Sequence, residues 1–308
     1  MKTVFIDGKA GTTGLRIEER LFNRKDVTIV SLPEEFRKDA GKRKEIINDS
    51  DIVFLCLPDA AAIDAVAMVE NPNVTIIDAS TAHRTKDDWA YGFPELSSAF
   101  REKVVSSKRI AVPGCHASGF IALVYPLIEN GILDKSTLLT AHSITGYSGG
   151  GKGMIAEYAD ANRSSLLNAP RQYGISQAHK HLPEMVKMTC LENAPAFMPI
   201  VADFYSGMEV TVPLFANQIK GGMAAIKEVY RNKYQGPIVT FKENADEGGF
   251  LSAGALSGKD SMEIQVHGNE ERILLVARYD NLGKGASGAA VECLNYKLGC
   301  LPTETLVL

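Results

Sequence analysis

Short apolar runs alternate with helix-patterned segments from the start of the chain through Asp78, and this alternation constrains the fold more than any other feature. Thr3–Asp7, Val27–Leu32, Ile52–Leu57 and Val74–Asp78 read as strands. Thr13–Arg24, Gly41–Asn48 and Ala60–Glu70 read as helices between them. Ile52–Leu57 (IVFLCL) is apolar at every position, the pattern of a strand covered on both faces. Pro58 ends that run, and Asp59 can cap the helix that follows. Strand–helix repeats of this kind build a parallel sheet with right-handed crossovers. Arg109–Val112 supplies a further strand.

Beyond residue 114 the pattern changes. Leu138–Thr145 reads as a strand, and residues 196–214 hold two more, broken at Ser206–Gly207. Met262, Ile264 and Val266 alternate, HGNEE turns, and Arg272–Arg278 runs back, which is a hairpin. His116–Gly131, Gly222–Tyr234 and Gly285–Leu298 carry helical spacing. The expected fold is α/β: a Rossmann-type parallel-sheet domain plus an α+β catalytic and dimerisation domain with a largely antiparallel sheet.

A length of 308 residues suits two domains at roughly 150 residues each. The 33 Lys and Arg against 37 Asp and Glu leave a net charge of −4. Such a chain has no global field to draw in nucleic acid or an anionic membrane, so neither is expected as a partner. No apolar run approaches the roughly 20 residues that span a bilayer. Asp7 interrupts the opening MKTVFIDGKAG too early for a signal h-region, so a cytoplasmic location is expected. The 5 cysteines, Cys56, Cys115, Cys190, Cys293 and Cys300, are odd in number and form no CxxC pair. Neither a disulfide framework nor a zinc site is expected, and no metal.

Gly8-x-x-Gly11-x-x-Gly14 follows the first strand and opens a helix, the context a dinucleotide site requires. Glycines let the backbone approach a pyrophosphate, and the helix start supplies amides and a positive dipole end. The second strand ends at Ser31 and Leu32, followed by Glu34 and Glu35, then Arg37 and Lys38. A small residue with nearby cations suits the 2′-phosphate of NADP, whereas the two glutamates suit NAD. The balance favours NADP, with Ser31 and Arg37 as its readers.

Val112-Pro113-Gly114-Cys115-His116 places a cysteine at a strand's carboxyl end and at a helix start. Ligands gather at such strand ends, and helix starts favour thiolates. Cys115 is therefore the candidate nucleophile. The His116 side chain is expected to point elsewhere. His179 and His181 in HKHLPE stand at i and i+2, so they share no helix face and form no helical metal pair. An acid/base partner for the thiol fits them better. Arg84, after the fourth strand, can grip a carboxylate or phosphate. The glycine cluster Gly146–Gly153, with Ser148, Gly149 and Lys152, reads either as a backbone anion cradle or as an exposed loop.

These motifs together resemble the N-acetyl-gamma-glutamyl-phosphate reductase family, in its shorter type. The resemblance is carried by VFIDGKAGTTG, DASTAHR (Asp78–Arg84), VPGCHAS (Val112–Ser118), SITGYSGGGKG, HKHLPE and DNLGKGA (Asp280–Ala286), in that order along nearly the whole chain. It implies NADPH-dependent reduction of N-acetyl-L-glutamyl 5-phosphate to the 5-semialdehyde, with release of phosphate, in arginine biosynthesis. Cys115 would carry a thioester and His179 would be the acid/base, with His181 as the rival histidine. NADP would be held by Gly8, Gly11, Thr12, Thr13, Gly14 and Ser80, and by Asn281, Lys284 and Gly285. The substrate would meet Arg84, Ser148, Gly149, Lys152, His181 and Glu184. Asn281–Ala286 would return to the first domain, giving 1–114 with 281–308 as the dinucleotide domain and 115–280 as the catalytic domain. A homo-oligomer, dimer or tetramer, is expected. The longer type of the family has Tyr-Pro after the cysteine, where this chain has His116-Ala117. Alternatives are a related reductase of aspartyl or aminoadipyl phosphate, a Cys–His hydrolase, and a non-catalytic NADPH-binding redox sensor.

Overall fold

The computed structural model describes residues 1–308 and divides them into two compact units. One comprises Met1–Pro113 and Ala286–Leu306; the other comprises Gly114–Gly285 and Val307–Leu308.

The first unit contains β1 (Lys2–Asp7), α1 (Thr12–Leu21), β2 (Val27–Val30), α2 (Ala40–Asp49), β3 (Ile52–Leu55), α3 (Asp59–Ala67) and β4 (Thr75–Asp78). It continues with β5 (Ala90–Tyr91), α4 (Ser98–Ser106) and β6 (Arg109–Ala111). The six strands form one sheet in the order β2-β1-β3-β4-β6-β5, and every pairing is parallel. Alternate residues of β1 and β3 serve opposite layers. Val4, Ile6, Ile52 and Phe54 pack with Ile17 and Leu21 of α1, while Phe5, Val53 and Leu55 pack with Ile47 of α2 and Ala62 of α3. That two-sided burial is why β3 is apolar throughout. The strand order reverses between β1 and β3, and such a switch point opens a crevice at the strands' carboxyl ends.

The second unit contains α5 (Cys115–Glu129), β7 (Thr140–Gly146), α6 (Gly151–Ala159), β8 (Arg171–Gln172), α7 (Leu182–Thr189), β9 (Ala196–Ala202) and β10 (Met208–Phe215). Then come α8 (Gly222–Lys233), β11 (Val239–Phe241), β12 (Met262–Gly268) and β13 (Arg272–Tyr279). Its sheet runs β11-β12-β13-β10-β7-β9-β8. The β11–β12 and β7–β9 pairs are parallel and the others antiparallel. α5 is buried without a break from His116 to Val124, as befits a helix apolar all round. Pro126 cannot donate to the carbonyl of Ala122, and the Tyr234 hydroxyl donates to it instead at 2.7 Å.

A last helix, α9 (Gly288–Leu298), belongs to the first unit and packs there on α1 and α4. The chain re-enters that unit at Ala286, five residues later than a boundary at Asn281. Asp280 explains the delay: its carboxylate accepts from Leu282 N and Gly283 N, and its carbonyl from Gly285 N, which ties the segment to the second unit. Residues Gly283–Ser287 form a π-turn ahead of α9, not a continuous α-helix from Gly285. No helix is long and apolar enough to cross a membrane.

Candidate active site

In the first unit the glycine loop follows β1. Gly8 has φ +84°, and a Cβ there would fall 2.3 Å from the carbonyl oxygen of Cys56, just beyond β3. Only glycine fits. Gly11 N donates to Gly8 O at 2.9 Å to close the turn. Gly11 caps α1 without any side-chain hydrogen bond, so the amides of Thr12, Thr13 and Gly14 keep the arrangement that binds an anion at a helix start. A cavity of about 270 Å³ opens beside them, lined by Asp7, Gly8, Lys9, Leu15, Ser31 and Arg37 among others. These features fit a dinucleotide. Arg37 meets Glu34 at 2.9 Å on the surface, an exposed pair worth little and easily exchanged. Asp7 is buried and paired with Arg43 Nη2 at 2.7 Å, a partnership the sequence pattern does not signal.

Other expected contacts in this unit are inward-facing. Asp78 is buried and accepts from Ser80 N at 2.9 Å and Ser80 Oγ at 2.7 Å, and meets His83 Nδ1 at 2.6 Å. The His83 ring stacks on Trp89 at 4.0 Å. Arg84 is buried too, and donates to the carbonyls of Val112 at 2.8 Å and Ala79 at 3.0 Å. Those bonds join the ends of β4 and β6. Cys56 sits one residue past β3, not within it, and burial followed by the charges of Asp78 and Asp7 pushes its thiol up to about 12.

In the second unit Cys115 is the first residue of α5, with Gly114 as its N-cap. Gly114 N donates to the buried Glu184 Oε2 at 3.1 Å, so Glu184 braces the turn that carries the thiol. Gly285 packs against the same turn: a Cβ there would lie 3.0 Å from that of Cys115.

His116 does not point elsewhere. Its buried ring lies 5.5 Å from His179, 5.6 Å from His181 and 6.0 Å from Tyr173. Its Nδ1 meets Ser143 Oγ at 2.6 Å and its Nε2 meets Tyr173 Oη at 2.5 Å. Position i+1 in a helix turns about 100° from position i, and here that direction leads into the core, among Tyr173, His179 and His181. Burial, then the charge of His179, lowers the His116 pKa to about 3. Burial and then Lys180 also lower that of His179. His179 Nδ1 accepts from His181 N at 3.2 Å, which assigns the proton of its neutral ring to Nε2. Tyr173 stays protonated, its pKa raised by burial and then by the charge of Cys115.

The glycine cluster is folded into helical turns. Tyr147–Gly150 is a 3-10 turn, and α6 starts at Gly151, leaving Lys152 exposed on its first turn. Gly149 is exposed as well, whereas Ser148 is buried. Asn281 Nδ2 donates to Ser148 Oγ at 2.9 Å, and Asn281 Oδ1 accepts from Gly207 N at 3.0 Å. Both ends of this amide, expected on the cofactor, thus bind the chain's own second unit. Lys284 is buried in the π-turn. The sequence pattern also passes over Arg171. It stands in β8, two residues before Tyr173, with Nη2 3.2 Å from Tyr158 Oη and its guanidinium 5.4 Å above that ring. No group of His, Cys, Asp and Glu suits a metal ion.

Known proteins place this architecture. Residues 13–104 match the family described as "Semialdehyde dehydrogenase, NAD binding domain". Residues 115–281 match "Semialdehyde dehydrogenase, dimerisation domain". The chain is 43% identical to N-acetyl-gamma-glutamyl-phosphate reductase 2 of Nostoc sp., over 98% of each chain. It is 43% identical to N-acetyl-gamma-glutamyl-phosphate reductase of Sinorhizobium medicae, over 96% of this chain and 98% of the other. The fold is shared with aspartate semialdehyde dehydrogenase II of Vibrio cholerae, with a TM-score of 0.73 at 16% identity over 97% and 98% of the two chains. The enzyme of Candida albicans with NADP gives 0.69 at 15% identity, over 97% and 99%. The chain belongs to the semialdehyde dehydrogenase family, among its N-acetyl-gamma-glutamyl-phosphate reductases.

Proposed function

We propose that this protein reduces N-acetyl-L-glutamyl 5-phosphate to N-acetyl-L-glutamate 5-semialdehyde, in the cytoplasm and as a homodimer. The observation that carries the reading is the Cys115 turn: Glu184 braces it, and the next residue, His116, packs with the rings of Tyr173 and His179. Relatives at 43% identity bear the name of this activity, while the aspartate enzymes at 15–16% share the fold alone.

NADPH, when bound at the Gly8–Gly14 loop, supplies the hydride. The thiolate of Cys115 attacks the acyl-phosphate carbon, and phosphate departs to leave a thioester. Splitting the reaction at a covalent intermediate lowers each barrier. Neutral His179 presents its Nε2–H to the carbonyl oxygen, where negative charge develops. After reduction, the hemithioacetal collapses and Cys115 leaves as thiolate. Arg171 is the cation that suits the substrate's α-carboxylate: only Gln172 separates it from Tyr173, about 7 Å along extended chain. Arg84 suits this task less, because its guanidinium donates to backbone carbonyls.

The test is NADPH formation from N-acetylglutamate semialdehyde and phosphate. Cys115→Ser should abolish it while NADP still binds, and His179→Asn should slow it by about 10²–10⁴-fold. Substantial turnover in Cys115→Ser would overturn the thioester route. Turnover of aspartate semialdehyde in preference would favour the related reductase.

A further inference from the structure

We infer that the Tyr173 hydroxyl is a second donor to the oxygen of the tetrahedral intermediates on Cys115, aimed there by a relay through His116 and Ser143. The inference rests on the thioester reading above.

The relay is a chain of three polar side chains, the buried Ser143 Oγ and His116 ring and the half-buried Tyr173 Oη, joined at 2.6 and 2.5 Å. A neutral imidazole with two partners donates through one nitrogen and accepts through the other. The chain therefore has two polarities. In one, the phenol donates to Nε2 and Nδ1–H donates to Ser143. In the other, Ser143 Oγ–H donates to Nδ1 and Nε2–H donates to the phenol oxygen, so the phenol's proton is directed away from the imidazole. The second polarity makes Tyr173 a donor toward the reacting group. Its hydroxyl is bonded to His116, the residue after Cys115, and burial, followed by the charge of Cys115, raises its pKa so that it stays protonated.

The position matches the chemistry. As the S–C bond forms, the carbonyl π pair moves onto oxygen; its return expels phosphate with the C–O bonding pair. Hydride addition to the thioester places charge on the same oxygen again, and the second collapse expels the Cys115 thiolate and leaves the aldehyde. A donor fixed at that oxygen assists both steps. His179 Nε2–H supplies one donor and Tyr173, whose ring is 5.9 Å from that of His179, supplies the other. His116 and Ser143 are positioning residues; they act through Tyr173.

Tyr173→Phe keeps the ring and removes the donor. We expect kcat to fall by about 10²–10³-fold, as for one oxyanion donor, with KM little changed. Ser143→Ala should slow turnover when Tyr173 is present and add nothing when it is combined with Tyr173→Phe. Equal losses in both backgrounds would mark a packing role and overturn the inference. The pH profile of Cys115 alkylation by iodoacetamide should be the same in Tyr173→Phe as in the parent; a shifted profile would assign Tyr173 to the thiolate instead, which also overturns it. If Tyr173→Phe does not fold, His116→Gln and His116→Leu replace it. Gln still offers a donor and should retain more kcat than Leu, and equal loss contradicts the relay. Full activity of Tyr173→Phe beside an inactive Cys115→Ser defeats this inference alone, whereas an active Cys115→Ser defeats the reading beneath it.

Discussion

The hydroxyl of Tyr279 lies between Cys115 and Gly119 in the first turn of α5: it donates to the carbonyl of Cys115 at 2.5 Å and accepts from the amide of Gly119 at 3.0 Å. An uninterrupted α-helix pairs those two groups with each other. The phenol, carried by the end of β13, thus bonds to both of these groups in the turn that holds the thiol. Gly119 makes room for it, since a Cβ there would fall 2.7 Å from the hydroxyl. Through this side chain the sheet helps to hold the turn of Cys115.

Tyr279→Phe should therefore destabilise the protein by about 1–3 kcal/mol, because the Gly119 amide and the Cys115 carbonyl each lose a hydrogen bond to the buried phenol. Urea unfolding followed by circular dichroism measures this. A midpoint equal to that of the parent would show that the helix holds this turn without the phenol.

Much of the fold is legible because its signals are local. The run IVFLCL reports two-sided burial, and Met262, Ile264 and Val266 report one-sided burial, each by period alone. Cys115 is legible because Pro113 and Gly114 mark a strand end and helix start. What escapes the eye is long-range. β8 has two residues and no period, so Arg171 and Tyr173 carry no strand signal. His116 joins the site through partners far along the chain, among them Ser143 and Tyr173, which lie 27 and 57 residues away. Arg84 looks like an anion ligand because arginine is one, yet its hydrogen bonds go to carbonyls made available by neighbouring strands. Asn281 is claimed in the same way by Ser148 and Gly207.

Gly8→Ala should abolish NADPH binding. The new residue would sit in the left-handed region at φ +84°, which costs about 1–2 kcal/mol, and its methyl would collide with the Cys56 carbonyl. The loop must then move out of the geometry that a pyrophosphate needs. Titration of intrinsic fluorescence with NADPH reads the loss. Arg37→Ala with Lys38→Ala should weaken NADP more than NAD; equal weakening would remove these cations from the 2′-phosphate.

Arg84 and Arg171 should separate by the quantity each affects. Arg84→Ala leaves the carbonyls of Val112 and Ala79 without their charged donor, so stability should fall by about 1.5–3 kcal/mol. Arg171→Ala should raise KM for the acyl phosphate and leave the melting temperature nearly unchanged, since its guanidinium is partly exposed and its one hydrogen bond is to Tyr158. The opposite pattern would exchange their roles.

Acid should weaken the fold through His116. Its folded pKa of about 3 lies below the ordinary value of 6.5, because burial opposes the charged ring. Above pH 6.5 neither the folded nor the unfolded chain binds this proton, and stability is independent of it. As pH falls from 6.5 toward 3, the unfolded chain takes up a proton that the folded protein refuses. Stability then declines by up to about 1.4 kcal/mol per pH unit, and the loss is complete once the folded ring also titrates. His179, lowered in the same direction, adds to the slope. Urea midpoints measured from pH 7.5 down to pH 5 should fall steadily in the parent protein. His116→Gln removes one titrating ring, so its midpoints should fall less steeply over the same range. Parallel curves for the two proteins would mean that His116 does not resist protonation in the fold.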